Sequence, residues 1–308
     1  MVAVDGAGFE VHRGELFGLL GPNGAGKTTT INMLTGLARP DSGSVEINGI
    51  DCVRRPKAAQ RHIGVVPDES NLYPELTGFE NLCFCGALYG MRKRDRVERA
   101  GELLDEFGLQ DAAERRFAGY SRGMKRRLAI AAGIIHEPPI LFLDEPTTGI
   151  DVTGAGMIRR LIEGLHSSGT TILLTTHYIE EAERLCDRVA FMVRGRITDV
   201  DRVDRLIQTV RDRQVLEVSC TGLPSGIVER LRDGFPGLVF EPVGRNAVRV
   251  ESDNTVPVGP LVRFFEENGA EVTEARKLRR SLEDVFVRIT GIEAAAMRGE
   301  KEKKGGSS

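Results

Sequence analysis

The sequence predicts an α/β layered fold with a mainly parallel sheet, followed by a smaller α+β domain. Three observations predict it. Residues 1 to about 205 of the 308 alternate short apolar runs with stretches of helical period. A charge-rich stretch, Asp199 to Arg213, then breaks the alternation. A shorter pattern follows it, in the order βαββαβ plus one helix.

Leu16–Leu20, Ile63–Val66, Ile140–Leu143, Thr170–Thr176 and Arg188–Val193 are short runs rich in β-formers and read as strands. Helical patterns separate them at Thr28–Leu37, Val97–Phe107, Met124–Ile135, Ala155–Leu165 and Ile179–Cys186. In the second domain Val215–Ser219 reads as a strand and Ser225–Arg232 as a helix. Leu238–Phe240 and Ala247–Glu251 are strands split by the turn Gly244-Arg245-Asn246. Val258–Glu267 is a helix, Glu271–Arg276 a strand, and Ser281–Ile289 a last helix with Ser281 and Asp284 spaced as a capping box. The domains are therefore set at 1–205 and 213–291. The remaining tail, 292–308, reads as disordered from Ala294 to its end, KEKKGGSS.

Composition narrows the function. Apolar residues make up 41% and charged residues 28%, enough for a sizeable core. A net charge of −3 gives no global field for nucleic acid or anionic lipid. The longest apolar run, Leu128 to Ile135, is far short of the roughly 18–20 residues a membrane span needs. No secretory signal is read at Met1. The five cysteines, Cys52, Cys83, Cys85, Cys186 and Cys220, are odd in number and lack metal-site spacing, so they read as reduced thiols.

The chemistry begins with GPNGAGKTT, Gly21 to Thr29, directly after the strand Leu16–Leu20. It fits G-x-x-x-x-G-K-[ST], a phosphate-binding loop in its required strand–loop–helix context. The glycines let backbone N–H groups turn inward around phosphate oxygens, and the helix adds its positive end. Lys27 supplies a cation for the β- and γ-phosphates, and Thr28 a hydroxyl for Mg²⁺. ILFLDEPTTGID, Ile140 to Asp151, runs four apolar residues into two carboxylates. Charges at a buried strand end are costly unless compensated. A polyphosphate and its cation explain them: Asp144 holds Mg²⁺ directly or through water, and Glu145 orients or deprotonates an attacking water.

Taken in order, GPNGAGKTT, YSRGMKRRL (Tyr120–Leu128), ILFLDEPTTGID and TTH (Thr175–His177) resemble the nucleotide-binding subunit of an ABC transporter over residues 1 to 205. The resemblance implies a P-loop ATPase domain with a helical subdomain, at about 71–138. It implies that Gly21, Pro22, Asn23, Gly24, Ala25, Gly26, Lys27, Thr28 and Thr29 contact ATP, Thr29 at the α-phosphate. Ser121 and Gly123, at the start of the helix Met124–Ile135, match the signature motif that binds the γ-phosphate held by the opposite subunit. Ser121 is also a natural N-cap. His177 resembles the switch histidine that touches the γ-phosphate, and Asp151 the loop joining the two ATP sites.

Several positions depart from the family's pattern. GVVPDES places Asp68 at or next to a usual Gln that couples Mg²⁺ to the membrane partner. Arg122 replaces a usual Gly and Met124 a usual Gln; such signatures resemble the ABC-2 type export subgroup. The usual adenine-stacking aromatic should precede Met1-Val-Ala-Val-Asp, so either the native start lies upstream or ATP lacks that stacking contact. RRSLEDVFVRITG, Arg279–Gly291, carries a further resemblance, to the C-terminal extension of ABC-2 exporter ATPases. Leu72, Tyr73, Leu76, Phe79 and Leu82 form an apolar set that is either core or a contact for a membrane partner.

The function these expectations imply is ATP hydrolysis at a head-to-tail homodimer interface, powering transport, with export favoured, through separate ABC-2 type membrane subunits. The chain would sit peripherally on the cytoplasmic face of the cell membrane and bind no nucleic acid. Soluble ABC ATPases of DNA repair, chromosome structure or translation carry coiled-coil insertions, zinc modules or tandem halves, none of which is read here. A non-catalytic regulator would have no need of Lys27, Asp144, Glu145 and His177 together.

Overall fold

All five residues of β1 (Leu16–Leu20) are buried, as a parallel strand covered on both faces requires. The computed structural model describes residues 2–209, 214–278 and 281–292, and within them two units form: residues up to Val203 with Ile289 onward, and Asp204–Arg288. The expected disordered tail from Ala294 lies outside the described residues.

In the first unit β1 is followed by α1 (Lys27–Leu34), the short hairpin β2 (Glu46–Ile47) and β3 (Ile50–Asp51), α2 (Pro56–Gln60) and β4 (Ile63–Val66). Next come the helices α3 (Gly78–Leu88), α4 (Lys93–Glu106) and α5 (Arg122–Ile134). The chain then alternates through β5 (Ile140–Asp144), α6 (Val152–Ser167), β6 (Thr171–Thr176), α7 (Ile179–Leu185) and β7 (Arg188–Val193), and closes with β8 (Arg196–Arg202); α8 (Val203–Thr209) starts at the division and continues in the second unit. The sheet order is β4-β5-β6-β1-β7-β8, parallel except for β8. Ligands of such sheets bind beyond the carboxyl ends of the strands. β1 and β5 both flank β6, so the loops after all three meet at one edge.

The charged stretch expected to mark a boundary is structured as far as Thr209, and the division between the two units, after Val203, falls inside it. Asp199 to Arg202 belong to β8, which pairs antiparallel with β7. Among the described residues β8 is the edge strand of the sheet, and charge on an edge discourages pairing with another chain. The β2–β3 hairpin turns at Asn48-Gly49, both at positive φ.

α3 starts in a full capping box: the Glu80 N–H donates to Thr77 Oγ1 at 3.1 Å and the Thr77 N–H to Glu80 Oε2 at 2.8 Å. Leu82 is fully buried and Leu72 half-buried, while Tyr73 is about half exposed, so the apolar set near α3 divides between core and surface. α5 lies directly on β4. A Cβ at Gly64 would come 2.1 Å from the Gly133 carbonyl oxygen, so only glycine permits this approach.

The second unit runs β9 (Gln214–Thr221), α9 (Ile227–Gly234), β10 (Val239–Val243), β11 (Ala247–Ser252), α10 (Val258–Glu267) and β12 (Glu271–Leu278), with α11 (Leu282–Thr290) after it. The expected order is thus present. Its sheet, β10-β11-β9-β12, is antiparallel throughout and shares one core with α9 and α10: Leu216, Val218, Val248, Val250, Leu231, Leu261 and Phe265. Ser281 caps α11 with half of the expected box: its N–H donates to Asp284 Oδ2 at 2.8 Å, and its hydroxyl turns to the same oxygen. Among the described residues no helix is long and apolar enough to cross a membrane. The five cysteines are free, three of them buried.

Candidate active site

The loop from Gly21 to Gly26 leaves β1 and turns into α1 through Gly26, whose φ of 105° is open to glycine. The Ala25 N–H closes the turn on the Pro22 carbonyl at 3.1 Å. Lys27 is 6% exposed. Its Nζ donates to the carbonyls of Gly21 at 2.7 Å and Pro22 at 3.2 Å, and lies 3.2 Å from Glu145 Oε1. Thr28 Oγ1 donates to Asp144 Oδ2 at 2.8 Å. Asn23 is half-buried in the loop, and Thr29 half-buried on α1.

Asp144 ends β5 and Glu145 starts the turn after it. The second oxygen of Asp144 accepts from the hydroxyl of Thr175, on β6. Glu145 has φ 50°, a left-handed conformation that costs a non-glycine residue free energy. Its N–H is held by the carbonyl of Thr175 at 3.1 Å and the hydroxyl of Thr175 at 3.2 Å. Its carboxylate accepts from Thr148 Oγ1 at 2.9 Å and lies 2.6 Å from His177 Nδ1. Burial acts to raise the Glu145 pKa, but the His177 hydrogen bond, the Lys27 and His177 charges and Thr148 outweigh it and hold the carboxyl at about 2.

The structure thus brings together Gly21, Lys27, Thr28, Asp144, Glu145 and His177 at the carboxyl ends of β1, β5 and β6. It offers a cation, a loop of backbone donors, two adjacent hard oxygens and a carboxylate held by a histidine. That set suits a polyphosphate with its cation.

The other expected residues lie elsewhere. Ser121 caps α5, accepting from the Met124 N–H at 3.3 Å, and its side chain is exposed. Gly123 follows on the first turn of α5 and faces Ile150 of the next loop. Asp151 caps α6 through Gly154 N at 2.8 Å. Asp68 is exposed after β4. Among the described residues no group of three His, Cys, Asp or Glu side chains is placed to hold a metal.

Two contributors escape a reading by sequence alone. Thr148 carries a signal in its place within PTTG, two residues past Pro146. Arg126 carries none, since a basic residue on an amphipathic helix normally reads as solvated. Here it is buried and donates to backbone carbonyls at the end of β5.

Comparison with known proteins identifies the family. Residues 4–148 match the family model described as ABC transporter. The chain is 38% identical to the daunorubicin resistance ATP-binding protein DrrA3 of Streptomyces coeruleorubidus, over 94% of this chain and 91% of that protein. It is 37% identical to the Nod factor export ATP-binding protein I of Paraburkholderia xenovorans, over 94% and 92%. The dimeric post-hydrolysis state of the ATP-binding cassette MJ0796, bound to ADP and Pi, superposes with a TM-score of 0.60 at 28% identity, over 65% of this chain and 90% of that one. The chain belongs to the ABC transporter ATP-binding proteins and is an ATPase subunit of the P-loop fold.

Proposed function

We propose that two copies of this chain hydrolyse two ATP molecules at a head-to-tail interface and so drive export through separate membrane-spanning subunits. The observation that carries the reading is the convergence of Lys27, Thr28, Asp144, Glu145 and His177 at one edge of the sheet. The loop Gly21–Gly26, with Thr29, receives the phosphates on its backbone donors. Lys27 is poised on Glu145 and two loop carbonyls, and a triphosphate gives it a stronger partner.

That exchange also prepares the base. A carboxyl held at about 2 is a weak proton acceptor. When Lys27 turns to phosphate, one cause of that low value leaves and negative charge arrives nearby, which raises the proton affinity of Glu145. His177 keeps the carboxylate aimed through its 2.6 Å hydrogen bond.

Thr28 and Asp144, 2.8 Å apart, present the hydroxyl and carboxylate that Mg²⁺ takes beside phosphate and water oxygens. The ion, when bound, neutralises developing charge on the β- and γ-phosphates. Asp68, exposed on the loop after β4, would reach such an ion through water.

Ser121 and Gly123 would meet the γ-phosphate of the opposite protomer at the α5 N-terminus, with Asp151 passing between the two sites. The dimeric cassette among the similar structures supports this arrangement. The names of the similar proteins, drug resistance and Nod factor export, support outward transport. An ABC-2 type permease would hold the chain at the cytoplasmic face of the membrane, and selectivity would lie in that partner.

Glu145→Gln tests the reading. It should lose steady-state turnover yet accumulate as an ATP-bound dimer on size-exclusion chromatography. Normal hydrolysis in this variant contradicts the base assignment.

A further inference from the structure

Arg126 sits on α5, five residues beyond Ser121, and is 6% exposed. Its Nη2 donates to the Asp144 carbonyl at 2.5 Å and its Nε to the Pro146 carbonyl at 3.0 Å. Those two carbonyls flank Glu145, whose φ is 50°. Its Nη1 donates to the Pro67 carbonyl and, at 3.3 Å, to that of Asp68. One planar guanidinium therefore binds the backbone on both sides of the strained glutamate and the loop after β4. Lysine, a single point donor, cannot match this fork.

A buried cation is costly, and burial pushes this guanidinium below its ordinary value while Asp68, Asp144, Glu145 and Glu181 pull it back up. Simple solvation of a helix face does not explain such a placement. Neither does filling space, which an apolar side chain would do at less cost.

We infer that Arg126 is a positioning residue for hydrolysis, holding Glu145 in its left-handed conformation and tying it to the signature end of α5. Resting on the dimer reading above, the same contact gives a route between the two ATP sites. Ser121 senses the opposite protomer's nucleotide, and Arg126, on the same helix, holds the base of its own site.

Arg126→Met and Arg126→Lys test this in the full chain, with turnover counted per folded molecule from a parallel thermal melt. For Met, kcat should fall about tenfold or more while KM for ATP stays within about twofold. Lys, with fewer donors, should recover part of the loss. In a Glu145→Gln background, where no base remains to be aimed, Arg126→Met should change the residual turnover by less than about twofold. A kcat per folded molecule equal to the parent for both variants overturns the inference. So does a loss of the same size in the Glu145→Gln background. Should Arg126→Met not fold, Arg126→Lys decides: a kcat per folded molecule below the parent's at unchanged KM supports the inference, and a kcat equal to the parent's overturns it. Normal turnover in Glu145→Gln itself would instead remove the base assignment, and it is read separately from the Arg126 series.

Discussion

His177 Nδ1 lies 2.6 Å from Glu145 Oε2, and both side chains are less than a tenth exposed. In so dry a place the hydrogen bond is the largest influence holding the Glu145 carboxyl low against the opposing effect of burial. His177→Ala removes it. The Glu145 pKa of the free protein should then rise from about 2, and the acid limb of kcat/KM against pH should move to higher pH. Loss of aim should also lower kcat at neutral pH by about a hundredfold. A pH–rate profile of wild type and variant reads both effects.

The same carboxyl makes stability depend on acid. Its folded value, about 2, lies below the ordinary 4.5. A depressed carboxyl stabilises the fold above its unfolded pKa and ceases to do so as pH falls through the folded one. The contribution at neutral pH is on the order of 3 kcal/mol, and roughly a third to a half of it should vanish by pH 3.5. Urea melts between pH 6 and 3.5 should therefore fall less steeply for Glu145→Gln than for wild type.

Lys27→Met keeps the length of the side chain and removes its charge. The carbonyls of Gly21 and Pro22 lose a donor, and Glu145 loses its ion pair. The fold should weaken by about 1–3 kcal/mol. ATP affinity should drop about a hundredfold, because charge-assisted contacts to phosphate are lost. Equilibrium dialysis measures the affinity. The rise in melting temperature with added ATP should shrink in parallel.

Asp144→Asn keeps one acceptor oxygen, enough for the hydroxyl of Thr28 or of Thr175 but not both, and carries no negative charge. ATPase activity should need at least about tenfold more Mg²⁺ for half-saturation, with the fold intact by circular dichroism. Chelation by EDTA should abolish turnover in both proteins. An unchanged Mg²⁺ dependence would remove Asp144 from the metal site.

Much of this was legible in the residues. β1, β4 and β7 fall where their apolar runs place them, and Gly21–Gly26 forms a loop that turns into α1 at Lys27. Asp144, Glu145 and His177 meet because their strands β5 and β6 are neighbours and both end at the same edge. What escaped depends on partners distant in sequence. β8 opens a charge-rich stretch that reads as a boundary, and its strand shows only when β7 pairs with it. Arg126 reads as surface until β5 and the loop after β4 surround it. The left-handed turn at Glu145 has no glycine to announce it, because the surroundings and not the residue impose it. Thr77 and Glu80 did carry a local signal, a capping box, as did Asn48-Gly49 for its hairpin.

The bare seam between Gly64 and Gly133 has a mechanical consequence. At this point main chain rests on main chain, with the side chain of Val66 packed beside it. α5 and the strand beneath it should travel as one plate when nucleotide arrives. Any swing of α3 and α4 must then be taken up in the connecting segments, residues 67–77 and 107–121. A single added methyl at Gly64 would act as a wedge under that plate and tilt the signature serine away from its target.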